Sequence, residues 1–443
     1  MEIKLSKYVV ITDFETVGDT CLIYSTRSGK IIKIRKDIAE KLKGNDFSTL
    51  EKEVIEELKI SQILVANNED EFESILEENN VKIKSINTLS SVIQPTANCQ
   101  LGCGYCGQVH SKTSSSDDII NKTLNRIKSL YNSNLHKQLN ITWYGGEPLT
   151  AVKQIRKYSE ELIKFAEEKE MVYFSDMITN GLSFKPNLIS ELIDKYKINN
   201  YQITIDTVKE IHDKRRITKE GNKTFDIIIN NIRAVVETES YKKNGQINIR
   251  VNIDNDNYLY ATEFIDLLHS YGLHEKKVKI YFASVVNWGE KESGNNSLTK
   301  EGFGQLEMDL IMYASDKGFY IHNIIPERSY EVCMVVNPSS EVYDANGNIY
   351  PCWEFPYTPM YENSKHRIGN LNDDKSNYNN NAITRNWNED IKKDGISWCK
   401  DCVMLPVCGG GCPKKWYKGE PGCPPFKFNI QERLALYYIR QLE

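Results

Sequence analysis

The stretch CQLGCGYC, residues 99–106, holds three thiols, Cys99, Cys103 and Cys106, with Tyr105 directly before the last. Three thiolates can ligate three irons of a four-iron cluster and leave the fourth iron open to a small molecule. A zinc ion asks for four ligands, and His110, four residues past Cys106, is the candidate fourth. Tyr105 is either plain packing or a face on which a nucleoside base stacks. A second district holds Cys333, Cys352, Cys399, Cys402, Cys408, Cys412 and Cys423, and no cysteine lies between 107 and 332. Two cysteine districts suggest two metal districts. Cys21 stands alone in an apolar run and reads as a buried structural thiol.

Such thiols bind metal where they stay reduced. The start, MEIKLSKYVV, lacks the basic and then apolar pattern of a secretory signal. No run of about 18 apolar residues is present to span a membrane. A cytoplasmic protein is expected, with cysteines serving as ligands rather than disulfides. A net charge of -5 argues against a general nucleic-acid binder.

The elements that must position these residues follow from periodicity. Residues 1–90 read as a small unit. CLIYSTRSGKIIKI is two apolar runs around Arg27, Ser28, Gly29 and Lys30, a hairpin pattern. Leu50, Val54 and Leu58 then recur at helical spacing. A hairpin with short helices is a winged-helix-like module; the plainer reading is a structural extension. Residues 91–325 read as a second unit, and between 91 and 286 strand and helix patterns alternate about six times. This requires parallel strands with helical crossovers, in a barrel or a doubly wound sheet, with sites at the carboxyl ends of the strands. Polar and glycine residues gather at those ends: Cys99 after the first strand, Gly145–Gly146–Glu147–Pro148 after the second, Thr179–Asn180–Gly181 after the third, Asp206 at the fourth, Arg250 and Asn252 on the fifth. From 326 to 443 the regularity breaks. Pro, Gly, Asn and Cys become frequent, residues 373–382 read as a polar loop, and metals are the expected source of order.

Cys99-x3-Cys103-x2-Cys106 with an aromatic before the last cysteine resembles the radical SAM signature, and GGEP after the second strand resembles that superfamily's glycine-rich turn. The resemblance implies a partial (β/α)6 barrel. It implies that the open iron chelates S-adenosylmethionine, whose cleavage yields a 5′-deoxyadenosyl radical that abstracts a substrate hydrogen. It implies that Gly145, Gly146 and Glu147 meet the methionyl amine, that Tyr105 lies against adenine, and that Asn180, Asp206 and Arg250 belong to the cofactor site. TIDTVKEIHDKRR resembles the family's fourth-strand segment, with Thr207 where a glycine is usual; His212, Asp213 and Arg216 match the rest, either as a salt-bridged helix start or in a direct role. Cys333, Gly347, Cys352, Cys399, Cys402, Cys408, Cys412 and Cys423 resemble a SPASM domain. That resemblance implies two auxiliary four-iron clusters, three clusters in all, with Cys333, Cys352 and Cys412 on one and Cys399, Cys402, Cys408 and Cys423 on the other. The first lacks a fourth cysteine, so it either keeps an open iron for a substrate thiolate or is capped by Glu327.

Enzymes of this kind mostly modify peptides or proteins. The N-terminal unit resembles the PqqD-like domain of ribosomal peptide maturases, where a leader segment adds a strand to a sheet edge. This implies an intramolecular thioether or carbon–carbon crosslink in a precursor peptide, with a flavodoxin or ferredoxin as electron donor. The alternative is formylglycine formation in a sulfatase. Enzymes of that branch tend to place an aspartate base directly after the second SPASM cysteine; here Trp353 holds that position and Glu354 follows. Glu327 and Glu354 are the catalytic candidates. A non-catalytic iron–sulfur scaffold is the reading from another class.

Overall fold

A computed structural model of the chain describes residues 2–14, 16–285, 296–321, 324–362, 365–379, 386–393 and 397–442. Strands β1 (Ile3–Leu5), β2 (Val9–Ile11), β3 (Thr20–Ser25), β4 (Ile31–Arg35) and β5 (Leu64–Ala66) open the chain. β2, β3 and β4 form an antiparallel sheet, and β1 pairs with β5. The β3–β4 hairpin turns where the sequence signalled, with Gly29 at φ 76° and its N–H donating to the Ser25 carbonyl. Helices Lys36–Lys43 and Lys52–Ile60 close one face of that sheet over Cys21, Ile23, Ile34, Leu42 and Leu58. Cys21 is therefore core, and burial raises its thiol pKa.

After a third helix, Glu71–Lys84, six parallel strands follow: β6 (Thr88–Ile93), β7 (Gln138–Trp143), β8 (Val172–Thr179), β9 (Ile198–Thr204), β10 (Gln246–Ile253) and β11 (Val278–Ser284). Chain neighbours are sheet neighbours throughout. A doubly wound sheet needs a reversal of strand order. Without one, crossovers of a single hand set the helices on one side, as in a barrel. The helix-facing side chains are apolar and fully buried: Leu139, Ile141 and Trp143 on β7, Tyr201 and Ile203 on β9, Ile247 and Ile249 on β10. The alternate positions are polar and half-buried: Asn140 and Thr142, Asn200, Gln202 and Thr204, Asn248 and Arg250. A parallel sheet usually reads apolar on both faces. Here the inner face lines a wet interior.

The cysteine-rich segment continues this sheet. β12 (Ser340–Tyr343) runs parallel to β6, and β13 (Asn348–Tyr350) and β14 (Gly369–Asn370) add antiparallel strands beyond it. Of the polar loop expected at 373–382, residues 380–382 lie outside those described. No helix among the described residues is long and apolar enough to cross a membrane.

Glu341 on β12 is buried and accepts two hydrogen bonds from Arg126 (3.0 and 2.6 Å) and one from the Tyr343 hydroxyl (2.7 Å). Removing one partner of a mostly buried ion pair costs about 3 kcal/mol. Glu341→Ala is therefore expected to lower the urea midpoint of the anaerobic protein, because it strands Arg126 at the β6–β12 seam. An unchanged midpoint would show that β12 does not depend on the pair.

Candidate functional site

The carboxyl ends of the parallel strands surround a cleft of about 240 Å³. Its floor is the 96–106 loop, which the glycine turn after β7 presses into place. The Glu147 N–H donates to the Asn98 carbonyl (2.7 Å). Gly145 has φ 111°, and a Cβ on Gly146 would stand 2.4 Å from the Asn98 oxygen. Both positions need glycine, the first for its conformation and the second for the approach of two backbones. A glycine has only backbone to present to the cleft.

Cys99, Cys103 and Cys106 all line it. Burial, then the nearby Glu147 carboxylate, pushes the Cys99 thiol up to about 12. Burial also raises Cys103, against the pull of Arg216. These thiols ionise only against a compensating cation, as metal ligands do. His110 Nε2 lies 3.9 Å from Cys106 Sγ. Yet among the described residues no three His, Cys, Asp or Glu side chains converge on one point as a single ion requires. Three thiols spread around one cleft fit a multi-iron cluster better than zinc.

Other expected residues land in unexpected roles. Glu147 is buried, and its carboxylate accepts from Leu149 N–H (3.0 Å), the Thr179 hydroxyl (2.7 Å) and Asn180 N–H (2.7 Å). It braces the glycine turn against the loop after β8. Asn180 Nδ2 points at Cys99 Sγ (3.7 Å) and Gln100 Oε1 (3.2 Å). Tyr105 lines the cleft, but its hydroxyl is fixed. It accepts from Arg216 (2.6 Å) and Asn252 (3.2 Å) and donates to Asp206 (3.1 Å). Against expectation, Asp206 does not line the cleft. It lies fully buried behind Tyr105, paired with Arg215 at 3.0 Å, because an uncompensated carboxylate could not be buried there. Burial raises its pKa, with Arg216 and Arg215 opposing.

The HDKRR segment divides. His212 Nδ1 accepts from the Asp206 N–H (3.2 Å) and its Nε2 meets the Thr224 hydroxyl (3.1 Å); burial and the two arginines hold it neutral. Asp213 accepts from Thr224 and Phe225 N–H at 2.9 Å each, capping the next helix. Arg216 alone reaches the cleft, 7% exposed, with its Nε lacking a hydrogen-bond partner. Arg250 also lines the cleft and donates to Asn252 (2.9 Å).

The opposite wall comes from the cysteine-rich segment. Trp353, Glu354 and Thr358 line the cleft. Glu354 Oε1 lies 3.5 Å from the Tyr144 hydroxyl, and the Tyr144 and Trp353 rings are 5.7 Å apart. Glu327, by contrast, is exposed outside the cleft, and its charge acts on Tyr24. The carboxylate that acts on Cys333 is Glu331. Sequence reading missed Tyr144, Gln202, Thr204 and Ser284, all in the cleft wall. The available signal was parity, since Gln202 and Thr204 alternate with the buried Tyr201 and Ile203 on β9.

The remaining cysteines sort by mutual influence. Cys333 is felt with Cys412 and with Cys352; Cys399 with Cys402 and Cys423; Cys408 with Cys402, Cys399 and Cys423. Burial first, then these neighbours, pushes Cys399 and Cys408 up to about 12.

Residues 93–249 match the Radical SAM superfamily model. A cysteine-type anaerobic sulfatase-maturating enzyme of Clostridium novyi (strain NT) is 23% identical over 397 residues, 80% of this chain and 97% of that protein. Among solved structures, native anSMEcpe with bound AdoMet and Cp18Cys peptide has a TM-score of 0.61 at 18% identity, covering 80% of this chain and all of that one. SuiB of Streptococcus suis bound to precursor peptide SuiA has a TM-score of 0.51 at 16% identity, covering 96% of this chain and 98% of that one.

The turn behind the cleft holds a checkable strain. Thr207 keeps the left-handed backbone, φ 60°, fully buried, with its hydroxyl unpartnered. A β-branched residue there costs about 1–2 kcal/mol, and the lone hydroxyl adds about 1 more. Glycine's greater freedom in the unfolded chain returns roughly 1 kcal/mol. Thr207→Gly is expected to raise Tm by a few degrees; a lower Tm would mean that the Thr207 methyl contributes more packing than its backbone costs.

Proposed function

We propose, for an enzyme built on a radical SAM domain at residues 93–249, that it is a peptide maturase installing an intramolecular thioether or carbon–carbon crosslink in a ribosomally made precursor. The domain implies a four-iron cluster and S-adenosylmethionine, which together supply hydrogen-atom abstraction. Cys99, Cys103 and Cys106 hold the cluster. Arg216, buried and with a free Nε, takes the cofactor's carboxylate. The backbone of Gly145 and Gly146 meets its amine. Arg250, Gln202 and Thr204 orient the peptide on the inner wall. Trp353 and Tyr144 keep water from the reacting atoms, Glu354 accepts the proton that leaves as the new bond closes, and an auxiliary cluster would take the electron left behind. Cys333, Cys352 and Cys412 hold one auxiliary cluster and Cys399, Cys402, Cys408 and Cys423 another. An external electron donor completes the system.

One observation carries the crosslinking reading. The likeness to peptide-bound SuiB spans 96% of the chain, whereas the likeness to anSMEcpe leaves about 89 residues uncovered. That is the size of the N-terminal unit. Its sheet ends at β4, which has no second neighbour among the described strands. Ser25 N–H donates to Lys30 O and Lys36 N–H to Asp19 O. Antiparallel alternation between these two bonds turns the N–H and C=O of Ile31, Lys33 and Arg35 outward. A leader strand can pair there. The likeness to sulfatase-maturating enzymes supports formylglycine formation as the second reading, and Trp353 beside Cys352 counts against it.

Anaerobic co-expression with a precursor peptide encoded beside the gene tests the choice. Loss of two hydrogens is expected, with blocked alkylation marking a thioether and unchanged alkylation a carbon–carbon bond. An untouched precursor, together with oxidation of a sulfatase-type cysteine peptide, would replace this reading by the second. Lys33→Pro removes an outward donor without touching the β3 pairing. It should weaken precursor binding at least about tenfold while S-adenosylmethionine is still cleaved; equal affinity would move the docking site elsewhere. Glu354→Gln should cut crosslinked product by roughly a hundredfold or more with cleavage retained; parent-level product would remove Glu354 from the proton step.

A further inference from the structure

The two C-terminal cysteine groups face different parts of the molecule. Cys352 precedes Trp353 in the cleft wall, and Tyr144, itself in that wall, packs with Cys352 in one apolar cluster. None of the quartet Cys399, Cys402, Cys408 and Cys423 lines the cleft, although Cys399 packs in one apolar cluster with Cys352. The segment from Cys399 to Cys408 lies under the β2–β3–β4 sheet. Cys402, Val403, Met404 and Val407 pack in one cluster with Val10, Leu22, Tyr24 and Ile31. The Thr26 hydroxyl, at the end of β3, donates to the Val403 carbonyl at 2.6 Å, and Lys7 Nζ donates to the Lys400 carbonyl at 2.9 Å. From the side, Arg328 Nη1 and the Ser329 N–H both donate to the Pro406 carbonyl, at 2.7 and 3.1 Å. Arg328 also reaches Asn79 on the helix Glu71–Lys84 at 2.7 Å. The N-terminal sheet is thus covered on one face by its own helices and on the other by this segment and the helix Ile430–Arg440.

The segment has little means of holding its own shape. Its regular structure is two helices of four residues each, Ser397–Lys400 and Leu405–Cys408, and Gly409, Gly410 and Gly411 follow in succession with positive φ. Helices this short do not persist alone. What remains is packing, against the N-terminal sheet on one side and against Trp387, Ile391, Trp416 and the helix Glu71–Lys84 on the other, the hydrogen bonds just named, and whatever the four thiols bind.

We propose that the quartet Cys399, Cys402, Cys408 and Cys423 serves as the mount of the N-terminal unit. The metal group it takes orders residues 399–408, and these hold β2 and β3 and, through them, the open edge of β4. The two C-terminal groups then have different functions, one beside the chemistry and one beneath peptide recognition. Binding to the folded segment only, the metal group stabilises everything packed on that segment. The coupling is reciprocal: a peptide docked on β4 would slow metal loss from the quartet. Those two roles and that last clause rest on the reading proposed above; the mount does not.

Amide hydrogen exchange on the anaerobically reconstituted full chain tests it without substrate. In Cys408→Ser, residues 9–11, 20–25 and 31–35 should exchange at least about tenfold faster than in the parent, while β8 and β9 stay within about twofold. Parent-level exchange in the N-terminal strands would overturn the proposal. So would acceleration confined to 399–408. A variant that keeps all ligands guards against a general folding failure. Thr26→Val removes the hydroxyl that reaches the Val403 carbonyl and, at 3.1 Å, the Tyr8 carbonyl, and should speed exchange in both β3 and 399–408 by about fivefold. It should also speed chelator-driven iron loss. Acceleration in β3 alone, with 399–408 and iron loss unchanged, would show that the two are not coupled.

Discussion

The carbonyl oxygen of Asn98 leaves no room for a side chain at position 146, and the candidate site depends on that approach. It brings the turn after β7 onto the loop that carries the three thiols. Glu147 then extends the bond network to Thr179 and Asn180 after β8, so three consecutive strand ends move as one piece. A carboxylate that accepts three hydrogen bonds while buried tolerates little displacement, since each lost partner leaves an unpaired charge in a dry place. Cys99, Asn180 and the glycines therefore hold their relation before any cofactor arrives.

Behind the cleft a second constraint operates. Tyr105, Asp206, Arg215, Arg216, Asn252 and Asp254 form one buried polar network in which Arg215 pairs with both aspartates. The network fixes the Tyr105 ring and leaves Arg216 as the cation facing the thiols. Much of the HDKRR segment thus works through other residues. His212 and Asp213 shape the turn and the following helix, and Arg216 alone reaches the cleft. The buried Thr207, next to Asp206 in the chain, keeps a conformation that its side chain disfavours.

The cysteine-rich segment is part of the barrel sheet through β12, part of the cleft through Trp353 and Glu354, and part of the N-terminal unit through residues 402–407. A segment with few apolar runs of its own takes its order from these three contacts. This explains how a stretch that reads as irregular in sequence contributes buried tryptophans, Trp387 and Trp416, packed edge to face at 5.2 Å.

The sequence alone determined the chemistry-bearing residues and the order of elements. Cysteine spacing depends on ligand reach along the chain, the GGEP turn on local backbone freedom, and strand–helix alternation on local periodicity; all are short-range and legible. It could not say that Asp206 turns away from the cleft, that Glu327 lies exposed and outside it, or that Glu147 is a brace. Nor could it reveal Tyr144 and Gln202 as cleft wall. Those facts depend on which side chains meet across distant strands, where the burial cost of a charge decides whether a carboxylate faces water, a thiol or an arginine. The sheet's continuation into β12 is of the same kind: its pairing with β6 joins residues some 250 positions apart, and only the folded chain brings them together.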